Sequence, residues 1–191
     1  MTKLACVLLL GVLAGCVSIA KVEKGDRAVG SRMVIAIEGP WNHVNAPGMG
    51  PAETWTMEGL PVDQLLLYSG LKDGEVIHAT GQDGANAKRF SFRANMQPDE
   101  IVGLFEGMLT RDGSRFKLTR LAPVEFGGQE GFRFDYALTR KVDNVQLLGL
   151  GYGTVSKGEL FAIVYMAPQL AFFARHKARV EHMAAAVRLK D

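Results

Sequence analysis

An α+β fold, a largely antiparallel sheet covered by a mid-chain helix and a C-terminal helix, is what this 191-residue sequence predicts. Three observations carry it. Alternating apolar and polar segments recur, most clearly where Phe132, Phe134, Tyr136 and Leu138 oppose Arg133, Asp135, Ala137 and Thr139. One helical pattern interrupts these segments near the middle of the chain, and a second closes it. Strands gathered in runs, without strict strand–helix alternation, point to helices lying over one sheet.

The elements follow in order. Met33-Val34-Ile35-Ala36-Ile37 is the first firm strand, ended by Gly39-Pro40. Residues 41–51 have the Asn, Gly and Pro content of a turn-rich loop. Within them Trp41, Asn42, His43 and Asn45 form a polar-aromatic cluster, and we read these four as a candidate binding loop, since loops carry function disproportionately. Strand character returns from Glu53 to Leu71, broken around Gly59-Leu60-Pro61, with Leu65 to Tyr68 suited to a central strand. Lys72-Asp73-Gly74-Glu75 is a hairpin-like turn into a strand at Val76-Ile77-His78-Ala79. Residues 81–88 read as an exposed loop, and Phe90, Phe92 and Ala94 alternate after it.

Pro98 suits a first helical position, and Asp99 and Glu100 complement the positive end of the helix dipole. Ile101, Leu104, Phe105, Met108 and Leu109 then follow at i, i+3, i+4, i+7 and i+8, one apolar face, until Asp112-Gly113 stops the helix. Phe116 and Leu118 lead a strand that Val124 and Phe126 extend past Pro123. Residues 127–131 turn the chain into Phe132–Leu138. Val145 to Val155 is a further strand, Ser156-Lys157-Gly158-Glu159 a hairpin turn, and Leu160 to Met166 an interior strand, apolar on both faces. Pro168 opens the last helix, which runs to about Arg188 and places Leu170, Phe173, Val180, Ala184 and Val187 on one arc.

The amino-terminal end reads differently. Lys3 precedes an apolar run from Leu4 to Val12, no other charge occurs before Lys21, and the run is too short to span a membrane. Leu13-Ala14-Gly15-Cys16 closes it and resembles the lipobox of bacterial lipoproteins. That resemblance implies cleavage before Cys16, a diacylglyceryl group on its thiol and acylation of the new amine. Three acyl chains make a firm anchor, because each buried CH₂ contributes about 0.8 kcal/mol. Residues 17–30 mix Lys21, Glu23, Lys24, Asp26 and Arg27 with small residues and predict a tether. The competing reading makes Val22 and its neighbours a first edge strand. The expected organisation is a signal over 1–15, a lipidated cysteine and tether over 16–30, and a single α+β domain over 31–191.

Composition narrows the function. Lys plus Arg number 22 against 20 Asp plus Glu, so nothing in the charge favours a nucleic-acid partner. The two cysteines are Cys6, inside the signal, and Cys16, so no disulfide and no cysteine-rich zinc site is expected. His176 and His182 stand six apart on one helix, about 120° around its axis, and do not form an i, i+4 metal pair. His176 borders the apolar arc, and Arg175 and Arg179 read as a solvated basic face. Gly149-Leu150-Gly151-Tyr152-Gly153 lacks the helix and lysine of a phosphate loop, and alternate glycines in a strand instead permit close backbone approach. There is no Gly-x-Ser-x-Gly elbow and no free thiol for a nucleophile. No catalytic residue, cofactor or metal is expected.

The helix at Pro98–Thr110, the Gly127-Gly128 turn into Phe132–Leu138, and the Leu160–Pro168 strand feeding a final helix together resemble the PsbP-like fold. Photosystem extrinsic subunits and bacterial lipoproteins of the LpqN and DcrB kind share it. The resemblance covers residues 31–189 and is topological. The expectation is a membrane-anchored, non-enzymatic envelope lipoprotein acting as a binding or assembly accessory. Its partners would be the membrane, through the lipid on Cys16, and an envelope protein. The alternative is a carrier of a lipid or hydrophobic ligand, which requires an apolar cavity of several hundred Å³. Val17 after the cysteine, in place of an aspartate, resembles outer-membrane sorting, with the domain facing the periplasm.

Overall fold

Strand pairing begins at the first residues that the computed structural model describes, which are 17–78 and 89–190. The stretch read as a tether forms β1 (Ser18–Val22) and β2 (Gly25–Val29). Each strand buries only its last residue, Val22 or Val29, and exposes the four before it. That is why composition reads as tether: an edge strand is held by backbone hydrogen bonds to one neighbour, which no side-chain pattern announces. The expected signal residues Leu13, Ala14 and Gly15, the expected anchor Cys16 and the expected loop at 81–88 lie outside the described residues.

Three shorter strands follow: β3 (Met33–Ile37), β4 (Trp41–Asn45) and β5 (Glu53–Thr56), and then β6 (Gln64–Leu71). Trp41, Asn42, His43 and Asn45 are therefore strand residues, not a loop. β4 is paired on both sides, to β1 and to β5, and Trp41 drives it inward by burying its indole. Of the strand expected at 76–79, Ala79 lies outside the described residues, and the described part shows one bridge, Val76 opposite Ser91, although Ile77, Phe90 and Phe92 are buried as their alternation predicts.

The mid-chain helix α1 (Pro98–Leu109) starts where expected, with Pro98 in its first turn and a capping box between Gln97 and Glu100. It buries Ile101, Val102 and Phe105. Four long strands come next: β7 (Arg115–Phe126), β8 (Gln129–Thr139), β9 (Gln146–Ser156) and β10 (Glu159–Pro168). Their hairpins explain two turns. Gly127 and Gly128 have φ of 62° and 74°, and Lys157 and Gly158 have 52° and 78°, the positive pair that a two-residue turn needs to match strand twist. Pro168 ends β10 and does not open the last helix. That helix, α2, runs Phe172–Ala185, Leu170 stays 84% exposed ahead of it, and a short β11 (Arg188–Leu189) follows. β10 outlasts its hydrophobic run because Pro168 still pairs with Leu147.

The large sheet has eight strands in the order β1-β4-β5-β6-β10-β9-β8-β7, all antiparallel, and a small sheet has the order β11-β3-β2. Alternation in β10 divides the core. Phe161, Ile163 and Tyr165 point to the small sheet and α2, where Met33, Ile35, Phe173 and Val180 meet them. Leu160, Ala162 and Val164 point to the opposite face, under α1.

On that second face the glycines of β9 have a clear purpose. Gly149 lies opposite Tyr136 and Gly151 opposite Phe134. A Cβ at Gly149 would overlap the Tyr136 ring, and one at Gly151 the Phe134 ring. The rings lie flat on the glycine backbone and stack along β8, with centroids 6.3 Å apart for Phe132–Phe134 and 5.8 Å for Phe134–Tyr136. Arg133 and Asp135, on the other face, are half-buried under α2. Arg133 donates to Asp135 at 2.9 Å and to the Tyr152 hydroxyl at 2.8 Å, and pairs with Glu181 at 2.9 Å.

Candidate functional site

Among the described residues, the α1 face of the large sheet is not fully covered. Between the carboxyl end of α1, the sheet and two loops lies a cleft of about 950 Å³, at the upper end of the size usual for ligand sites. Its floor is Leu66, Leu138, Leu147 and Met166, supplied by four different strands. Met108 and Leu109 on the last turn of α1 form one wall. Met49 with Pro47, and Leu60 with Pro61 and Val62, form the loop walls. The cleft exists because α1 is only 12 residues long and the sheet beneath it is eight strands wide.

Polar side chains also line the cleft, His78, Arg111, Asp112, Ser114 and Arg140 among them. Arg111 Nη1 lies 3.2 Å from His78 Nδ1. Arg140 makes a two-pronged contact with Asp143 at 3.0 and 2.7 Å, and also donates to the Pro61 carbonyl at 2.9 Å. The hydrogen bond from Arg140 holds the Asp143 carboxyl below its ordinary range. Burial alone would raise the Asp112 carboxyl, but bonds from Ser114 outweigh it and the net shift is downward; the Ser114 amide donates at 2.9 Å. The guanidinium of Arg140 also tethers the 60–62 loop to the turn after β8. Chemically this arrangement suits a ligand with an apolar body and a polar or anionic end.

A second polar cluster pins α2 to the loop after β5. Glu58 Oε1 accepts from His176 Nε2 at 2.7 Å and from Arg175 Nη1 at 2.9 Å. Asp63, only 1% exposed, accepts from the Thr56 hydroxyl and from the Met57 and Glu58 amides at 3.0 and 2.8 Å, which shapes that loop. The His176 bond is the main cause of a lowered Glu58 carboxyl; burial opposes it and Arg175 adds to it. A depressed carboxyl stabilises the fold above its unfolded pKa and loses that contribution as pH falls through the folded value. Glu58→Gln should therefore flatten this part of the acid limb of a pH–melting profile. Superimposable profiles for the two proteins would show that the cluster does not hold α2.

The residues singled out from sequence do not converge. Trp41 is a core residue, 6.3 Å edge-on from Tyr165 and 6.5 Å from Trp55. His43 Nε2 lies 3.9 Å from Glu53, and the Asn45 carbonyl accepts from the Ser18 hydroxyl at 3.5 Å. Asn42 pairs across the strand with Thr56. His176 and His182 separate to Glu58 and Glu38. Arg175 and Arg179 are exposed, as a solvated face requires, with Arg175 also stacked on Phe172 at 5.2 Å. Among the described residues, no three His, Cys, Asp or Glu side chains form a metal-holding group, and no helix is long and apolar enough to cross a membrane. The cleft itself left little trace in sequence. Met49 and Leu60 lie in segments that read as turns, and their one signal is that apolar residues stand where turns are usually polar; Val62 reads as part of the strand region from Glu53 to Leu71.

No family model matches the chain, and no curated protein matches it. Among solved structures, it is similar to the solution structure of cyanobacterial PsbP (CyanoP) from Synechocystis sp. PCC 6803, with 12% identity and a TM-score of 0.49, over 97% of this chain and 98% of that one.

Proposed function

We propose that this protein is a non-enzymatic envelope lipoprotein, anchored by lipid on Cys16, that binds a ligand with an apolar body in the cleft beside α1. The anchor rests on the lipobox Leu13-Ala14-Gly15-Cys16, and an outer-membrane location facing the periplasm rests on Val17 after it. The PsbP-like architecture is part of the same proposal and rests on the order of elements from β3 to α2. The single observation that carries the binding reading is the cleft of about 950 Å³, with its floor of leucine and methionine. It favours a carrier over a pure assembly accessory, which would need no such space.

Titration with a fluorescent fatty acid tests it. Saturable one-to-one binding is expected. Met49→Trp, on a loop wall, should weaken it at least tenfold while leaving the melting temperature unchanged. A flat titration of the unmodified protein would overturn the carrier reading. The accessory reading keeps one observation of its own. The edge strand β7 exposes Leu118 by 40% and Leu121 by 37%, in a stretch that also carries Arg115, Lys117 and Arg120. Cross-linking in intact envelopes that captures one protein, and loses it with Leu118→Glu, would favour a docking role for that edge.

A further inference from the structure

The sheet begins almost at the anchor. Ser18 already stands opposite Asn45, and pairing runs unbroken to Val22 opposite Trp41. Only Val17 separates Cys16 from paired strand, a reach of about 7 Å at most. A flexible tether over 16–30 would have allowed roughly 20 Å. β1 is also the free edge of the eight-stranded sheet. Soluble proteins blunt such edges with charge or proline. Here the only charge on the strand, Lys21, is paired with Glu23 at 2.9 Å, while Val17 and Ile19 are 62% and 66% exposed. Two residues apart, they lie on the same side of an extended chain.

We propose that the β1 edge lies directly on the bilayer that holds the anchor, with Val17 and Ile19 in contact with lipid. The inference rests on the lipid attachment proposed above and adds an orientation to it. The partner is the anchor's own bilayer, because the short reach to Cys16 leaves no other surface within range. The orientation also bears on the cleft. Asn45, opposite Ser18, leads straight into Pro47–Gly50, which form a cleft wall. The ligand class that reaches the cleft from this position is a lipid acyl chain of the same membrane.

The test uses lipidated protein carrying Ile19→Cys or, on the far edge, Leu121→Cys. Each new thiol takes an environment-sensitive fluorophore, and the protein is reconstituted into phosphatidylglycerol–phosphatidylcholine vesicles. Lipid-borne spin label should quench the Ile19 probe at least threefold more than the Leu121 probe, and aqueous iodide should show the reverse order. Equal quenching of both probes by iodide, in protein whose intact mass includes acyl chains at Cys16, would overturn the orientation alone. Intact mass without acyl chains would overturn the anchor reading itself.

Discussion

Phe134→Ala is expected to destabilise the protein by about 3–5 kcal/mol, the range for emptying a buried aromatic site. Domains hold a net stability of about 5–15 kcal/mol, so this is one of the costliest single changes available. Phe134 is fully buried, with its ring 5.5 Å from Phe105 of α1 and 5.8 Å from Tyr136. It joins helix to sheet, and it does so by lying on Gly151. Gly151→Ala should then destabilise by about 1–3 kcal/mol through overpacking. The two losses should not add. The methyl at position 151 takes up part of the space that Phe134→Ala vacates, so the double variant should lose less than the sum of the singles, by about 0.5–3 kcal/mol. Denaturant midpoints of the four proteins decide it. Simple additivity would break the link between ring and glycine, and an unshifted midpoint for Phe134→Ala would remove β8 from the core.

Cys16→Ser is expected to abolish the anchor outright. A thioether-linked lipid requires a thiol, and a hydroxyl of similar size does not replace it. The variant should persist as an uncut, unlipidated precursor, or be cut elsewhere and released from the membrane fraction. Its folded part should melt as the parent does, because β1 starts only at Ser18. Intact mass of the parent supplies the complementary reading. A mature chain beginning anywhere but Cys16, or beginning there without acyl mass, would defeat the lipoprotein proposal.

Much of the fold was legible because it depends on period. β3, β8 and β10 and the helix at Pro98 declare themselves through alternation, caps and an apolar arc; the strands bury the residues their patterns select, while the helix buries Ile101 and Phe105 of its arc with Val102 and leaves Leu104, Met108 and Leu109 half-buried. The alternate glycines of β9 read correctly as close approach. What approaches, the rings of β8, depended on a cross-strand register that local pattern does not contain. β2 and β4 went unread, and β1 was legible only as the competing edge-strand reading around Val22, for a related reason. Their few buried residues give no period, and partners distant in sequence hold them. By itself the sequence determined the helices and the long strands, because these follow from properties of neighbouring residues. Only the tertiary structure decided that Trp41 belongs to the core, that the presumed tether is sheet, and that a cleft opens beside α1. Each of these depends on which surfaces meet, and a cleft is the space left where a short helix fails to cover a wide sheet.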